Sequence, residues 1–222
     1  MALIIQPVPT IPTAEIPMKV RMTSKMVMRS VYDTWWGRLP LEPDGLNWTM
    51  KFALRQATLE DATNIARVHV SSWQTSYRHL LPSEFLETLD VGAREVRWKA
   101  VFERNESTTF VAVLERRLEG EVVGFVSAGS MLSSIGNFQS EIHALYTLET
   151  VQGKGVGRLL FTAAQNYLLA QNFPNMALWV LADNPARGFY EHLGGVLLEI
   201  EQEIELGGVK RLEVAYGWRL TN

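Results

Sequence analysis

The stretch that decides the fold runs from Glu141 to Asn172: EIHALYTL, then ETV, then QGKGVGR from Gln152 to Arg158, then LLFTAAQNYLLAQN. Its opening is apolar enough for a largely buried strand. After the glycines, Leu160, Ala163, Ala164, Tyr167 and Leu168 recur at i, i+3, i+4, i+7 and i+8, the apolar stripe of an amphipathic helix. The order is therefore strand, glycine-rich turn, helix. Without Cβ atoms at Gly153, Gly155 and Gly157, the backbone can take unusual dihedrals and approach a ligand closely. The first helical turn leaves N–H groups without intrahelical partners, and the macrodipole makes those donors an anion site. Lys154 and Arg158 add positive charge beside it. The alternative is a turn whose glycines only cap and connect.

Two common phosphate signatures do not fit. A Walker loop needs Ser or Thr after its lysine, and Gly155 follows Lys154. The dinucleotide fingerprint needs Gly-x-Gly-x-x-Gly, whereas the spacing here is Gly-x-Gly-x-Gly. What does fit is Gln-x-x-Gly-x-Gly, at Gln152, Gly155 and Gly157. This closely resembles the pyrophosphate-binding signature of the GNAT superfamily of acetyl-CoA-dependent N-acetyltransferases. A second stretch, Asn184-Pro-Ala-Arg-Gly-Phe-Tyr190-Glu-His-Leu-Gly-Gly195, is similar to the Asn-x-x-Ala/Arg-x-x-Phe-Tyr-Glu-x-Leu-Gly run of bacterial members, loose by one position before Phe189.

The resemblance covers about Lys51 to Leu220. It implies an α/β (α+β) fold with a mixed, mostly antiparallel sheet flanked by helices. The strands at Glu141 and Met176 would run parallel and splay apart. The pantetheine arm of acetyl-CoA would enter that gap against backbone groups of Leu145, Tyr146 and Thr147. Its pyrophosphate would sit on Gln152, Gly153, Lys154, Gly155, Val156, Gly157 and Arg158. By the same carry-over Asn184 binds the pantetheine side and Tyr190 lies near the sulfur.

The rest of the chain fits one such domain, 51–222, preceded by an extension, 1–50. Of 222 residues 47% are hydrophobic and 20% charged, with a formal net charge of −3. That balance suggests no bulk attraction to nucleic acid. With no cysteine there is no disulfide, thiolate metal site or thiol nucleophile. The residues fit a cytoplasmic protein without a secretory signal or membrane span. The first fifty residues hold six of the nine prolines and six of the eight methionines. Met18 to Val31 has helical spacing, and Trp35 and Trp36 are candidates to pack onto the domain. Either the extension packs or mediates a homodimer, or translation begins at Met50.

From Lys51 the pattern is a short strand at Phe52, Leu54 and Gln56, then a helix capped by Thr58 with Asp61 three residues on. Helices follow at Pro82 to Thr88 and Ala93 to Glu103. Strands at Thr108 to Glu115 and Glu121 to Ser130 form a hairpin through a polar turn at Arg116 to Gly120. Ser133 to Ser140 is a loop. Met176 to Leu181 is a buried strand, Asp183 to Pro185 starts a short helix, and Val196 to Leu206 with Val209 to Trp218 closes the chain as a hairpin.

Acyl transfer to an amine needs a neutral nucleophile, yet a lysine-like amine has a reference pKa of about 10.4. A base is therefore useful, and the departing thiolate benefits from a donor. Tyr190 is the candidate donor and Glu141 the candidate base. Glu141 lies eleven residues before Gln152, as in some histone-acetylating members of the superfamily. Strand alternation would put Glu141, His143, Leu145 and Thr147 on one face. His143 is then the reserve base, directly or through water, and a contributor to the substrate site. Trp73 and Tyr77 either line an amine pocket or form core. The acceptor is a primary amine of a small molecule or peptide. The competing reading is a non-catalytic acyl-CoA sensor on the same fold, which would have lost the acid and base. His69, His79, His143 and His192 show no metal-ligand spacing, and no metal is expected.

Overall fold

The computed structural model describes residues 51–115 and 120–221. The extension at 1–50 and the turn at 116–119 lie outside these residues, and so do the expectations placed on them. Strand β1 (Phe52–Gln56) leads to Asp61, whose carboxylate accepts the Thr58 N–H at 2.9 Å and both arms of the Arg55 guanidinium at 2.7 Å. That reciprocal cap sets the entry to helix α1 (Ala62–Ser76). The short α2 (Ser83–Glu87) and then α3 (Val91–Arg104) follow, the latter capped by Asp90. Strands β2 (Ser107–Leu114), β3 (Glu121–Ser130) and β4 (Ser140–Thr147) come next. Helix α4 (Val156–Ala170), β5 (Asn175–Leu181), α5 (Arg187–His192), β6 (Val196–Leu206) and β7 (Val209–Arg219) complete the described residues.

The seven strands form one sheet in the order β1-β2-β3-β4-β5-β7-β6. Every neighbouring pair is antiparallel except β4 and β5, which run parallel. These two share a single registered pair, Glu141 with Ala177, and are unpaired beyond it. The mostly antiparallel sheet with a central splay is the architecture expected from the sequence. The parallel pairing depends on the crossover: a parallel pair needs a long connection, and α4 supplies it.

Apolar alternation fills both faces. On one side Leu160, Phe161, Ala164 and Leu168 of α4 bury against Val126, Ala128, Ile142 and Leu145. On the other, α1 and α3 cover the sheet with Ile65, Trp73, Tyr77 and Trp98 over Phe125, Ala144 and Tyr146. A third group, Ile135, Ala177, Trp179 and Ala215, packs the β3–β4 loop over β5 and β7.

One expectation is corrected. Ser127 pairs with Ala144 and Ala128 with Ile142, which leaves His143 as an extra residue in β4. A bulge puts two successive residues on the same side of the strand and resets the alternation. Glu141, His143, Ala144 and Tyr146 consequently face α1 and α3, whereas Ile142, Leu145 and Thr147 face α4. Leu145 and Thr147 therefore do not share a face with Glu141.

Candidate active site

The β4–α4 connection is built as the glycines dictate. Gly153 and Gly155 hold φ of +72° and +83°, a region disfavoured for residues with side chains, and a Cβ at either would point into open space. Gly157 lies inside the first turn of α4, which begins at Val156. The exposed side of this loop thus offers bare backbone and the unpaired N–H groups of a fifteen-residue helix. Lys154 is turned away, its Nζ donating to the Thr150 carbonyl at 2.8 Å.

Beside the loop lies a cavity of about 350 Å³, walled by Thr75, Ser76, Arg78 and His79 from the end of α1, by Glu149 and Gln152, and by Asn184 to Ala186. Gln152 and Asn184, from separate motifs, therefore meet at one hollow. Asn184 is buried, and its Oδ1 accepts the Ala186 N–H at 2.9 Å, shaping the turn into α5. The Thr147 carbonyl is already engaged by Ser72 Oγ at 3.1 Å. A larger hollow of about 490 Å³ lies along the N-terminal half of α1, lined by Asn64, Arg67 and Glu121, and contains none of the expected residues.

Tyr190, on α5, is fully buried, and its hydroxyl finds no hydrogen-bond partner among the described residues. Its ring is held by Phe189, Tyr216 and Trp218 at centroid distances of 5.4, 6.2 and 6.2 Å. Burial pushes the phenol well above its ordinary range, and the nearby Tyr146 phenol adds to the shift. It is therefore a neutral O–H at any physiological pH. A buried hydroxyl left unpaired costs about 1–3 kcal/mol and calls for a reason.

Glu141 is also buried, at 6% exposure. Its Oε2 accepts the Leu132 N–H at 3.0 Å, and the Ser133 backbone also donates to the carboxylate. Desolvation outweighs those donors and, with Glu213 nearby, raises its pKa from 4.5 to about 7. His143 is shifted the other way: burial lowers it to about 4, against the Ser130 carbonyl that accepts from Nε2 at 2.8 Å. Glu141 is thus poised to exchange a proton near neutrality, while His143 is a neutral ring.

Trp73 and Tyr77 are core. Both are buried between α1 and the sheet, with ring centroids 5.0 Å apart and Arg94 over the indole at 5.5 Å. Trp73 Nε1 donates to Tyr146 Oη at 2.9 Å, so the side chain of Tyr146 is part of the same buried layer. Reasoning from sequence missed that contact because the bulge decides which way Tyr146 points. It also missed Glu213, fully buried on β7 and bound to Gln202 Nε2 at 2.9 Å. The only signal was a lone carboxylate inside the apolar run LEVAYGW.

A splayed parallel pair and a glycine loop opening a helix, beside a hollow that Gln152 and Asn184 share, are the features that the resemblance to acetyl-CoA-dependent acyltransferases implies. Residues 69–195 match the Acetyltransferase (GNAT) family, and the chain belongs to that family. It is 36% identical over 165 residues to YuaI of Bacillus subtilis (strain 168), described as an uncharacterized N-acetyltransferase; the match covers 74% of this chain and 91% of that one. Among solved structures, the PaiA N-acetyltransferase of Thermoplasma acidophilum in complex with coenzyme A superposes with a TM-score of 0.55 at 16% identity. That match covers 77% of this chain and 99% of the other. YncA of Salmonella typhimurium, a putative acetyltransferase with its cofactor acetyl-CoA, gives 0.57 at 18% identity, covering 78% and 95%. The protein is an N-acetyltransferase by family.

Proposed function

We propose that the chain moves the acetyl group of acetyl-CoA to a primary amine of a small molecule or peptide by direct attack, with Glu141 as base and Tyr190 as acid. The observation that carries this reading is the Tyr190 hydroxyl, buried and without a partner among the described residues, for which a thiolate leaving group would supply the missing acceptor. Bound acetyl-CoA supplies the activated thioester. The chain's own residues do the rest.

Gly153 to Arg158 and Gln152 would hold the diphosphate, because the loop offers N–H donors and no Cβ closes the approach. The unpaired edge of β4 from Leu145 to Thr147, with Asn184 across the gap, would orient the pantetheine arm. Glu141, ionised above about pH 7, takes a proton from the incoming ammonium and is kept in place by the Leu132 N–H. His143, neutral and tied to Ser130, is on the substrate side as a hydrogen-bond acceptor. Tyr190 gives its proton to the departing sulfur and is reprotonated by the second proton that the acylated nitrogen loses.

Calorimetry with CoA and acetyl-CoA, followed by CoA release with a panel of amines, tests the reading. Heat with both and turnover with at least one amine is expected. Binding without turnover on any amine overturns the catalytic assignment in favour of a sensor.

A further inference from the structure

A third, smaller hollow shares Leu132 with the proposed base. It has a volume of about 60 Å³ and lies under α3, walled by Trp98, Ser107, Ser127, Leu132 and His143. Leu132 links the two places: its N–H holds Glu141 and its half-exposed side chain walls the hollow. An amine nitrogen presented to Glu141 therefore has its own substituent within reach of this space.

The polar groups inside form a matched set. His143 Nε2 must carry hydrogen, because its partner, the Ser130 carbonyl, can only accept. Nδ1 of the neutral ring is left with a lone pair. From the other side Thr109 Oγ1 donates to Ser127 Oγ at 3.2 Å, and Ser127 Oγ donates to Ser107 Oγ at 3.3 Å. That row ends at Ser107, whose hydroxyl hydrogen has no protein acceptor among the described residues. His143 and Ser107 both line the hollow, a space of about two waters' volume at about 30 Å³ each, and hold one acceptor and one donor between them. A hydroxyl group needs one of each. At the rim, Arg104 and Glu106 carry opposite charges, so nothing draws in a second cation.

We propose that this hollow is the acceptor's side-chain subsite and selects amines bearing a short, hydroxyl-tipped substituent; the inference rests on the acetyl-transfer reading above. The test compares 3-amino-1-propanol with n-butylamine, which has the same number of heavy atoms, in CoA release by the full chain. We expect kcat/KM for the amino alcohol to be about tenfold higher or more, the worth of a hydrogen bond of about 1.5 kcal/mol. Ser107→Ala, which removes the donor, should bring the ratio toward one without changing KM for acetyl-CoA. Ser127→Leu, which fills the hollow, should raise KM for both amines; Ser107→Ala carries the test if the larger residue does not fold. Equal rates in the native chain, or a ratio unmoved by Ser107→Ala, overturns the subsite alone. Absence of CoA release with every amine overturns the acetyl-transfer reading, and the subsite with it.

Discussion

At Glu141 two opposed effects meet on one carboxylate. Burial raises its pKa, the Leu132 and Ser133 amides lower it, and the balance falls at about 7. As the proposed base it would work ionised, so kcat/KM should rise with pH through about 7. Glu141→Gln should remove that inflection from the pH–rate profile and lower the rate by about 10²–10⁴-fold. Tyr190→Phe should lower kcat while leaving KM for acetyl-CoA nearly unchanged, measured by steady-state CoA release; an unchanged kcat would remove its role as acid. Both residues stood out in the sequence as candidates, one from its distance to Gln152 and one from the Phe-Tyr-Glu run. The tautomer of His143 and the company of Tyr146 were not. They follow from hydrogen bonds to Ser130 and Trp73, distant in sequence from the motifs.

At the scale of elements, the glycine loop and the β4 bulge matter most. Gly155 precedes α4 at φ +83°, so Gly155→Val adds strain of about 1–3 kcal/mol there and places a branched side chain over the anion site. Calorimetry should then detect no heat with CoA, while circular dichroism remains that of the native sheet and helices. Strand and helix positions were readable because their periodicities are local. The bulge was not, because a register shift exists only between two strands and Ser127 lies sixteen residues from His143. A period-2 reading of EIHALYTL therefore put Leu145 and Thr147 on the wrong side. Trp98, on α3, shows the reverse: nothing local marks it, yet it is 1% exposed and donates to His69 Nδ1 at 3.2 Å. Trp98→Ala should cost about 3–5 kcal/mol in denaturant unfolding.

For the whole molecule, the buried ionisable groups oppose one another as pH changes. Glu141 holds its proton more tightly folded than unfolded, so its contribution falls as pH rises from about 4.5 to 7. His143, lowered to about 4, and His69, also lowered by burial, do the opposite: the unfolded chain takes up their protons first as pH falls below 6.5. Between about pH 4.5 and 6.5 these slopes partly cancel. Glu141→Gln should stabilise the ligand-free protein at pH 8 by up to about 3 kcal/mol and steepen its loss of stability in acid. Chemical denaturation at pH 5, 6.5 and 8 measures both effects.

Because β4 and β5 are registered at one rung only, the sheet is two slabs joined at Glu141 and Ala177. A pantetheine arm lying in the opening would act as the missing rungs, so the cosubstrate would be a structural part of the sheet while it is bound. Deuterium uptake at amides 142–147 should then slow when CoA is added, and a slab seam that exchanged equally with and without it would have no such tie.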